Sequence, residues 1–135
     1  MKDVIDNFGR NAGRVWKALT THGSLTSTSL MKTTRLTEKE CYAAIGWLAK
    51  ENKIYTDGTN YFIGETNLTP TIGENAGKIW RLLDTWGELD EFHLPKLAGI
   101  NPPEAYSALG WLAREGKLNA NTIKVKTSPI KFGLK

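Results

Sequence analysis

The sequence predicts a mainly α-helical α+β fold in which one small unit, three helices followed by a β-hairpin, occurs twice. A segment that begins at Tyr42 is repeated from Tyr106, and its central residues Gly-Trp-Leu-Ala are identical in both copies. The same offset of 64 residues holds without a gap back to Asn11 and Asn75. Apolar residues recur at helical spacing before each copy of this segment, and β-prone residues follow the first copy. One repeat in each half of the chain indicates two similar small domains.

The 135-residue chain is therefore expected to divide into two domains, residues 1–66 and residues 67–135. We place the boundary in the polar connector 64–70, which contains a proline. A domain of this size has a marginal core, so we expect the two halves to bury surface against each other.

The first helix of each half carries an apolar stripe at positions i, i+3, i+4 and i+7. In the first half we expect this helix to begin near Asn7 and to end at Gly23, because glycine commonly follows a last helical turn. In the second half a capping box of Thr71 and Glu74 is expected at its start, and Gly87 at its end. The stripes are Ala12, Val15, Trp16 and Leu19, and Ala76, Ile79, Trp80 and Leu83.

Each half continues with a short second helix and a longer third helix, both opened by residues that can accept hydrogen bonds from free backbone N–H groups. The first short helix is expected over 27–34. Beside the corresponding cap in the second half, Glu91 is interpreted as a first-turn carboxylate. The expected N-caps are Thr26, Thr37, Asp90 and Asn101, and Glu40 and Glu104 complete two capping boxes.

The third helices are followed by hairpins, or wings. Asp57-Gly58 between two β-prone runs predicts the first hairpin, and the segment 23–25 is expected to add a short strand. In the second half we expect a turn at 119–121, a strand at 122–126 and a basic tail at 130–135. This order of elements is the layout of a winged helix-turn-helix domain.

Three runs of the second half, 72–80, 87–89 and 108–115, resemble a family of small bacterial and archaeal winged helix-turn-helix proteins without an assigned activity. The first half is similar over 7–13 and 44–51, so the resemblance covers most of residues 7–126. It implies the fold, and it implies a function only by analogy. Most members carry one copy, and the tandem form departs from that pattern.

The third helix of each half is apolar on nearly every face, whereas a helix that reads bases needs polar side chains on its exposed face. Glycine inside a helix costs about 1 kcal/mol relative to alanine. Our hypothesis is that the two third helices pack against each other, with Gly46 and Gly110 at the crossing and Trp47 and Trp111 flanking it. Alternatively, each glycine accommodates packing within its own domain.

The charge is mildly positive, +4 overall, with nine basic and seven acidic residues in each half. Basic residues are locally in excess after Glu115, where the sequence contains no acidic residue. Several lysines on a wing could follow a phosphate backbone, although a solvated lysine face that protects an edge strand explains them equally well. The candidate nucleic-acid contacts are Lys50, Lys53, Arg114, Lys117, Lys124 and Lys126, with Arg10, Arg14, Lys17, Lys78 and Arg81 on the first helices.

These patterns favour a nucleic-acid-associated, DNA-binding and transcription-related protein that uses its wings and basic first helices. The alternative is a protein-interaction module whose apolar winged-helix surfaces bind a protein partner or a second copy, without DNA.

No pattern of catalytic, cofactor-binding or metal-binding residues is found, so we expect neither an enzyme nor a cofactor. His22 and His93 have no partner at metal-ligand spacing. Cys41, the single cysteine, occupies an apolar helical position and is expected to be a small buried hydrophobe. The sequence contains neither a signal-peptide pattern nor a stretch of transmembrane length, so a cytoplasmic location without membrane contact is expected.

Overall fold

The computed structural model describes residues 4–121 and 129–135, in which six α-helices and six short strands form two similar sets. The first set is α1 Val4–His22, β1 Ser24–Thr26, α2 Ser27–Thr34, α3 Glu38–Lys50, β2 Ile54–Thr56 and β3 Asn60–Ile63. A single π-helical segment, Thr69–Gly73, leads into the second set. That set is α4 Glu74–Trp86, β4 Leu89–Asp90, α5 His93–Ala98, α6 Pro102–Arg114, β5 Leu118–Asn121 and β6 Lys131–Leu134.

Each set closes with a three-stranded antiparallel sheet. In the first sheet β3 lies between β1 and β2, and Leu25 of β1 pairs with Tyr61. In the second sheet β6 lies between β4 and β5, and Leu89 of β4 pairs with Phe132. The predicted hairpin around Asp57 and the added strand of the first half are confirmed, and the arrangement is the predicted winged helix-turn-helix layout.

Most of the predicted helix signals are found in the structure. Thr26 accepts a hydrogen bond from the Ser29 N–H, and it caps a helix with the expected bounds, 27–34. Both third helices begin with the predicted capping boxes, which pair Thr37 with Glu40 and Asn101 with Glu104. The first helices end where glycine adopts a positive φ, +82° at Gly23 and +85° at Gly87.

Two predictions about the starts of the first helices are wrong. The helix α1 begins at Val4, not near Asn7, because Val4 and Ile5 pack against the core together with the buried Phe8. The helix α4 has no side-chain cap. Thr71 instead donates its hydroxyl hydrogen to the carbonyl oxygen of Leu68 at 3.1 Å, because the preceding π-helical turn already continues into α4.

The predictions for the second wing are also wrong. The expected turn at 119–121 belongs to strand β5, and the expected tail contains β6, the central strand of the sheet. Phe132 on β6 is fully buried, with its ring 6.4 Å from that of Phe8 and 6.3 Å from that of Tyr106. The aromatic side chain therefore anchors the strand in the core. The strand expected at 122–126 lies outside the described residues.

The helices α3 and α6 make the most extensive contact between elements of the described chain. At their crossing the backbones touch. A Cβ atom added to Gly46 would overlap the carbonyl oxygen of Ser107, and one added to Gly110 would overlap that of Ala43. Gly46 is equivalent to Gly110, and Ala43 to Ser107, by the offset of 64 residues. Each half therefore makes the same contact with the other half, as across a two-fold axis.

Replacing Gly46 by alanine should force the two helices apart, because the atoms in the way are backbone atoms that cannot rotate aside. We expect the free energy of unfolding to fall by about 3 kcal/mol, at the upper end of the usual cost of overpacking. Urea denaturation followed by far-UV circular dichroism measures the change.

Gly13→Ala is the matched control for this substitution. Gly13 also lies inside a helix, but it is exposed, and no atom outside its own helix backbone and chain neighbours lies within 4 Å of an added Cβ. Alanine there should raise the free energy of unfolding by up to about 1 kcal/mol. Equal stability of the Gly46→Ala and Gly13→Ala variants would contradict a backbone contact at the crossing.

Candidate nucleic-acid interface

The tryptophans beside the crossing pack on the segments that precede them in their own halves. A Cβ added to Gly9 in α1 would lie 3.1 Å from the ring of Trp47. One added to Gly73, immediately before α4, would lie 3.2 Å from the ring of Trp111. The structure thus places Gly46 and Gly110 between the two halves, and it places each tryptophan between the third helix and the first-helix segment of one half.

Lys50 and Arg114, two of the candidate nucleic-acid contacts, reach across from one half to the other. The Nε atom of Arg114 lies 3.0 Å from a carboxylate oxygen of Glu51, and the Nζ atom of Lys50 lies 3.8 Å from one of Glu115. Each cation also lies over a tryptophan ring of the opposite half. The distances to the ring centroids are 5.3 Å from Lys50 to Trp111 and 6.0 Å from Arg114 to Trp47.

The wing lysines share the same two carboxylates. Lys53 lies 3.7 Å from Glu51, and Lys117 lies 3.5 Å from Glu115. The lysines of these pairs are about half exposed, whereas the glutamates are less than one-fifth exposed, and ion pairs of such solvated lysines stabilise a fold only slightly. They do, however, offset much of the positive charge at the ends of α3 and α6. The remaining two candidates, Lys124 and Lys126, lie outside the described residues.

Glu91 is not the surface first-turn carboxylate that its neighbour Asp90 suggested. Asp90 is not the N-cap of α5, which is Phe92, but it accepts hydrogen bonds from the N–H groups of Phe92 and His93 in the turn before the helix. Glu91 turns inward and is 6% exposed. Its carboxylate forms an ion pair with Lys39 of the other half. It also accepts a hydrogen bond from the Tyr106 hydroxyl at 3.0 Å, and one from the Ile130 N–H at 2.6 Å.

These contacts set the pKa values of the buried network. Burial by itself raises the pKa of Glu91, but the hydrogen bonds from Lys39, the Ile130 N–H and Tyr106, with the charge of Lys39, outweigh it. The net pKa of Glu91 therefore lies below its ordinary value of 4.5. Burial, followed by the nearby charge of Glu91, raises the pKa of Tyr106. Glu91 therefore stays ionised and Tyr106 stays protonated at neutral pH, and the network ties the second wing to α3 and α6.

A basic surface covers α1 and α2 from Arg10 onwards, and Asp6 in the first turn of α1 is the single acidic residue between positions 4 and 37. From Asn7 to Thr37 the sequence contains five basic residues and no aspartate or glutamate. All five basic side chains are exposed, and no carboxylate of the described chain forms an ion pair with any of them. We call this set the α1–α2 basic face; it consists of Arg10, Arg14, Lys17, Lys32 and Arg35.

The geometry of α1 brings three of these cations together. Arg10, Arg14 and Lys17 follow one another at i, i+4 and i+7, so they lie on one side of the helix. Arg14 and Lys17 line a shallow groove of about 340 Å³ between α1 and the last turn of α2. The other lining residues are Ala18, Thr21, His22, Thr33 and Thr34. A groove with two cations and small polar side chains is suited to an anionic ligand.

The corresponding segment of the second half has the opposite charge balance. Residues 71–101 contain five acidic and three basic residues, whereas residues 7–37 contain no acidic and five basic residues. Counting charge over whole halves hides this contrast, because the acids of the first half, apart from Asp6 in the first turn of α1, lie outside the described first two helices. Sequence reasoning therefore missed Lys32 and Arg35, although the sequence itself shows that residues 7–37 contain no acidic residue.

A sequence profile of the winged helix-turn-helix domain (DUF2582) matches residues 1–63 and, a second time, residues 66–128. The two matches together span most of the chain, which therefore belongs to this family. The resemblance and the tandem repeat predicted from the sequence are confirmed. A comparison with curated proteins gave no match.

Other classes of site were searched within the described ranges. There, no three or more histidine, cysteine, aspartate or glutamate side chains are grouped so that they could hold a metal ion. Cys41 is fully buried, and burial raises the pKa of its thiol to about 12. None of the helices in these ranges combines the length and the hydropathy needed to span a membrane.

Glu91→Gln should lower the free energy of unfolding by about 2 kcal/mol at pH 7, because the neutral amide keeps the shape but loses the charged partner of Lys39. The pKa of Glu91 is lower in the folded than in the unfolded state. Its stabilising contribution is therefore complete above pH 4.5 and is lost as the pH falls through the folded-state pKa.

Denaturation of both proteins between pH 3 and pH 8 measures this dependence. The stability difference between wild type and Glu91→Gln should shrink at the acidic end. The exposed Glu65, replaced in the same way, serves as the control and should show no such dependence. A difference that stays constant with pH would contradict the ionised network.

Proposed function

We propose that this winged-helix protein associates with DNA by contacting phosphates through the α1–α2 basic face, and that it does not insert a third helix into the major groove. The observation that carries the proposal is the set of five exposed cations in a stretch without any acid. Clustered lysine and arginine side chains on one surface are the electrostatic footprint of a nucleic-acid-binding protein.

The position of the third helices supports the second part of the proposal. In a DNA-binding winged helix the third helix usually lies in the major groove, where its polar side chains reach the base edges. Here α3 and α6 cover each other, and their backbones touch at Gly46 and Gly110. Glu38 and Glu40 in the first turn of α3 would also repel phosphates.

Binding of this kind is directed at the backbone and carries little sequence information. The affinity should be modest, because few phosphates are contacted, and its logarithm should fall with the logarithm of the salt concentration with a slope of at most about −4.5, about −0.9 for each of five contacts. The wing residues Lys53 and Lys117 stay predicted secondary contacts, as do Lys50, Arg114, Lys124 and Lys126. The alternative function, protein binding, is favoured as an additional role by a separate apolar surface in the second half.

The double variant Arg14→Gln/Lys17→Gln should bind duplex DNA at least tenfold more weakly than the wild type at low salt, because two phosphate contacts are lost. The slope of log affinity against log salt concentration should fall by about 2, since each phosphate contact contributes about 0.9. Fluorescence anisotropy with a labelled random-sequence duplex, titrated at several salt concentrations, measures both quantities.

The repeat supplies a matched control. Lys78→Gln/Arg81→Gln removes the same two charges at the equivalent positions of α4 and should leave the affinity within about twofold of the wild type. If both double variants lose affinity equally, the effect is one of net charge and the assigned surface is wrong. If the wild-type protein does not bind duplex DNA at low salt, the proposed function itself is wrong.

A further inference from the structure

The groove between the first and second helices exists in both halves, with almost the same size and with different chemistry. The groove between α4 and α5 has a volume of about 330 Å³, close to the 340 Å³ of the groove between α1 and α2. It is lined by Lys78, Arg81, Leu82, Thr85, Trp86, Leu97 and Ala98. Each of these residues is the counterpart, 64 positions later, of a residue that lines the first groove.

Large apolar side chains replace small or polar ones in the second groove. Leu82, Trp86 and Leu97 stand where the first half has Ala18, His22 and Thr33. Trp86 is 64% exposed and Leu97 is 49% exposed. Phe92, whose counterpart is Thr28, is 55% exposed but does not line the groove, and the centroid of its ring lies 5.1 Å from the Nζ atom of Lys39.

These three side chains, Trp86, Phe92 and Leu97, are more exposed than any other large hydrophobic residue in the described chain. Trp86 and Leu97 line the same groove, and exposed apolar side chains that lie together commonly mark a binding site. Because the first half presents none of the three, the overall fold does not require them.

The charged side chains that line the second groove are both cations, Lys78 and Arg81. Both cations lie on the same face of α4 and line the groove together with Trp86 and Leu97. Asp84, the nearest acid along α4, does not line the groove. An occupant that complements this surface needs an apolar stripe, with carboxylates along one edge.

We propose that the groove between α4 and α5 binds an acidic amphipathic helix of a partner protein. The apolar stripe of that helix would cover Trp86 and Leu97, and its carboxylates would lie against Lys78 and Arg81, as in other helix-in-groove complexes. The groove runs along α4 from Lys78 to Trp86, about 12 Å, so two to three turns of a partner helix cover it.

A second copy of the chain fits this surface less well. A two-fold contact would place the same patch of each copy against the other and bring together rims of equal, positive charge. DNA also fits poorly, because the segment 71–101 that builds the groove carries more acidic than basic residues. The surface is therefore distinct from the α1–α2 basic face and does not depend on the DNA-binding proposal.

A displayed library of 18-residue helices tests the proposal on the full chain. The library has random apolar residues at i, i+3, i+4 and i+7, and glutamate or lysine with equal frequency elsewhere. Peptides are selected on the wild-type protein and counter-selected on Trp86→His/Leu97→Thr, which restores the residues of the first half. The result expected is a set of glutamate-rich peptides that bind the wild type at least tenfold more tightly than this variant.

Two further measurements make the test specific. The reciprocal variant His22→Trp/Thr33→Leu creates the apolar pair in the first groove and should gain affinity for the same peptides. Sedimentation without peptide should give a monomer for both the wild type and Trp86→His/Leu97→Thr. The proposal is overturned if no peptide depends on Trp86, if lysine-rich peptides win, or if the wild type dimerises through this patch.

Discussion

The direct backbone contact between α3 and α6 is the constraint on which the rest of the structure depends. It requires glycine at two equivalent positions, and it places Ala43 and Ser107 opposite them. Because the helices approach so closely, the residues around the crossing become the core of both halves at once. This shared core compensates for the small size of each domain. It also takes away the surface with which a winged helix usually reads bases.

Away from the crossing, the surfaces of the two halves differ. The groove between the first two helices is basic and polar in the first half, with Arg14 and Lys17. In the second half it keeps two cations, Lys78 and Arg81, and adds the large apolar side chains of Trp86 and Leu97. The interior pairs keep the repeat symmetry, as Gly46 and Gly110 do. The glycines at the crossing of the halves are thus the same in both copies of the repeat, while the exposed residues of the two grooves differ.

Sequence reasoning predicted the parts of the fold that local signals determine. The capping box of Thr37 and Glu40 and the hairpin at Asp57-Gly58 are examples, because their partners lie within a few residues. The second wing was missed because β6 lies 71 positions after β3, not 64, and Gly133 weakens its alternating pattern. The role of Glu91 could not be predicted, because its partners Lys39 and Tyr106 come from distant elements. The basic face was detectable, but charge had to be counted by element.

The short connector between β3 and α4 has a consequence for how the molecule behaves on dilution. Two separate winged helices joined through such a crossing would dissociate at low concentration, whereas a covalent link keeps the effective concentration of the partner near millimolar. The paired state therefore persists even at a few copies per cell. A linked pair can also carry two unlike outer faces, which a dimer of identical subunits cannot do. Joining the repeats thus allows one small protein to present two different surfaces to two kinds of ligand.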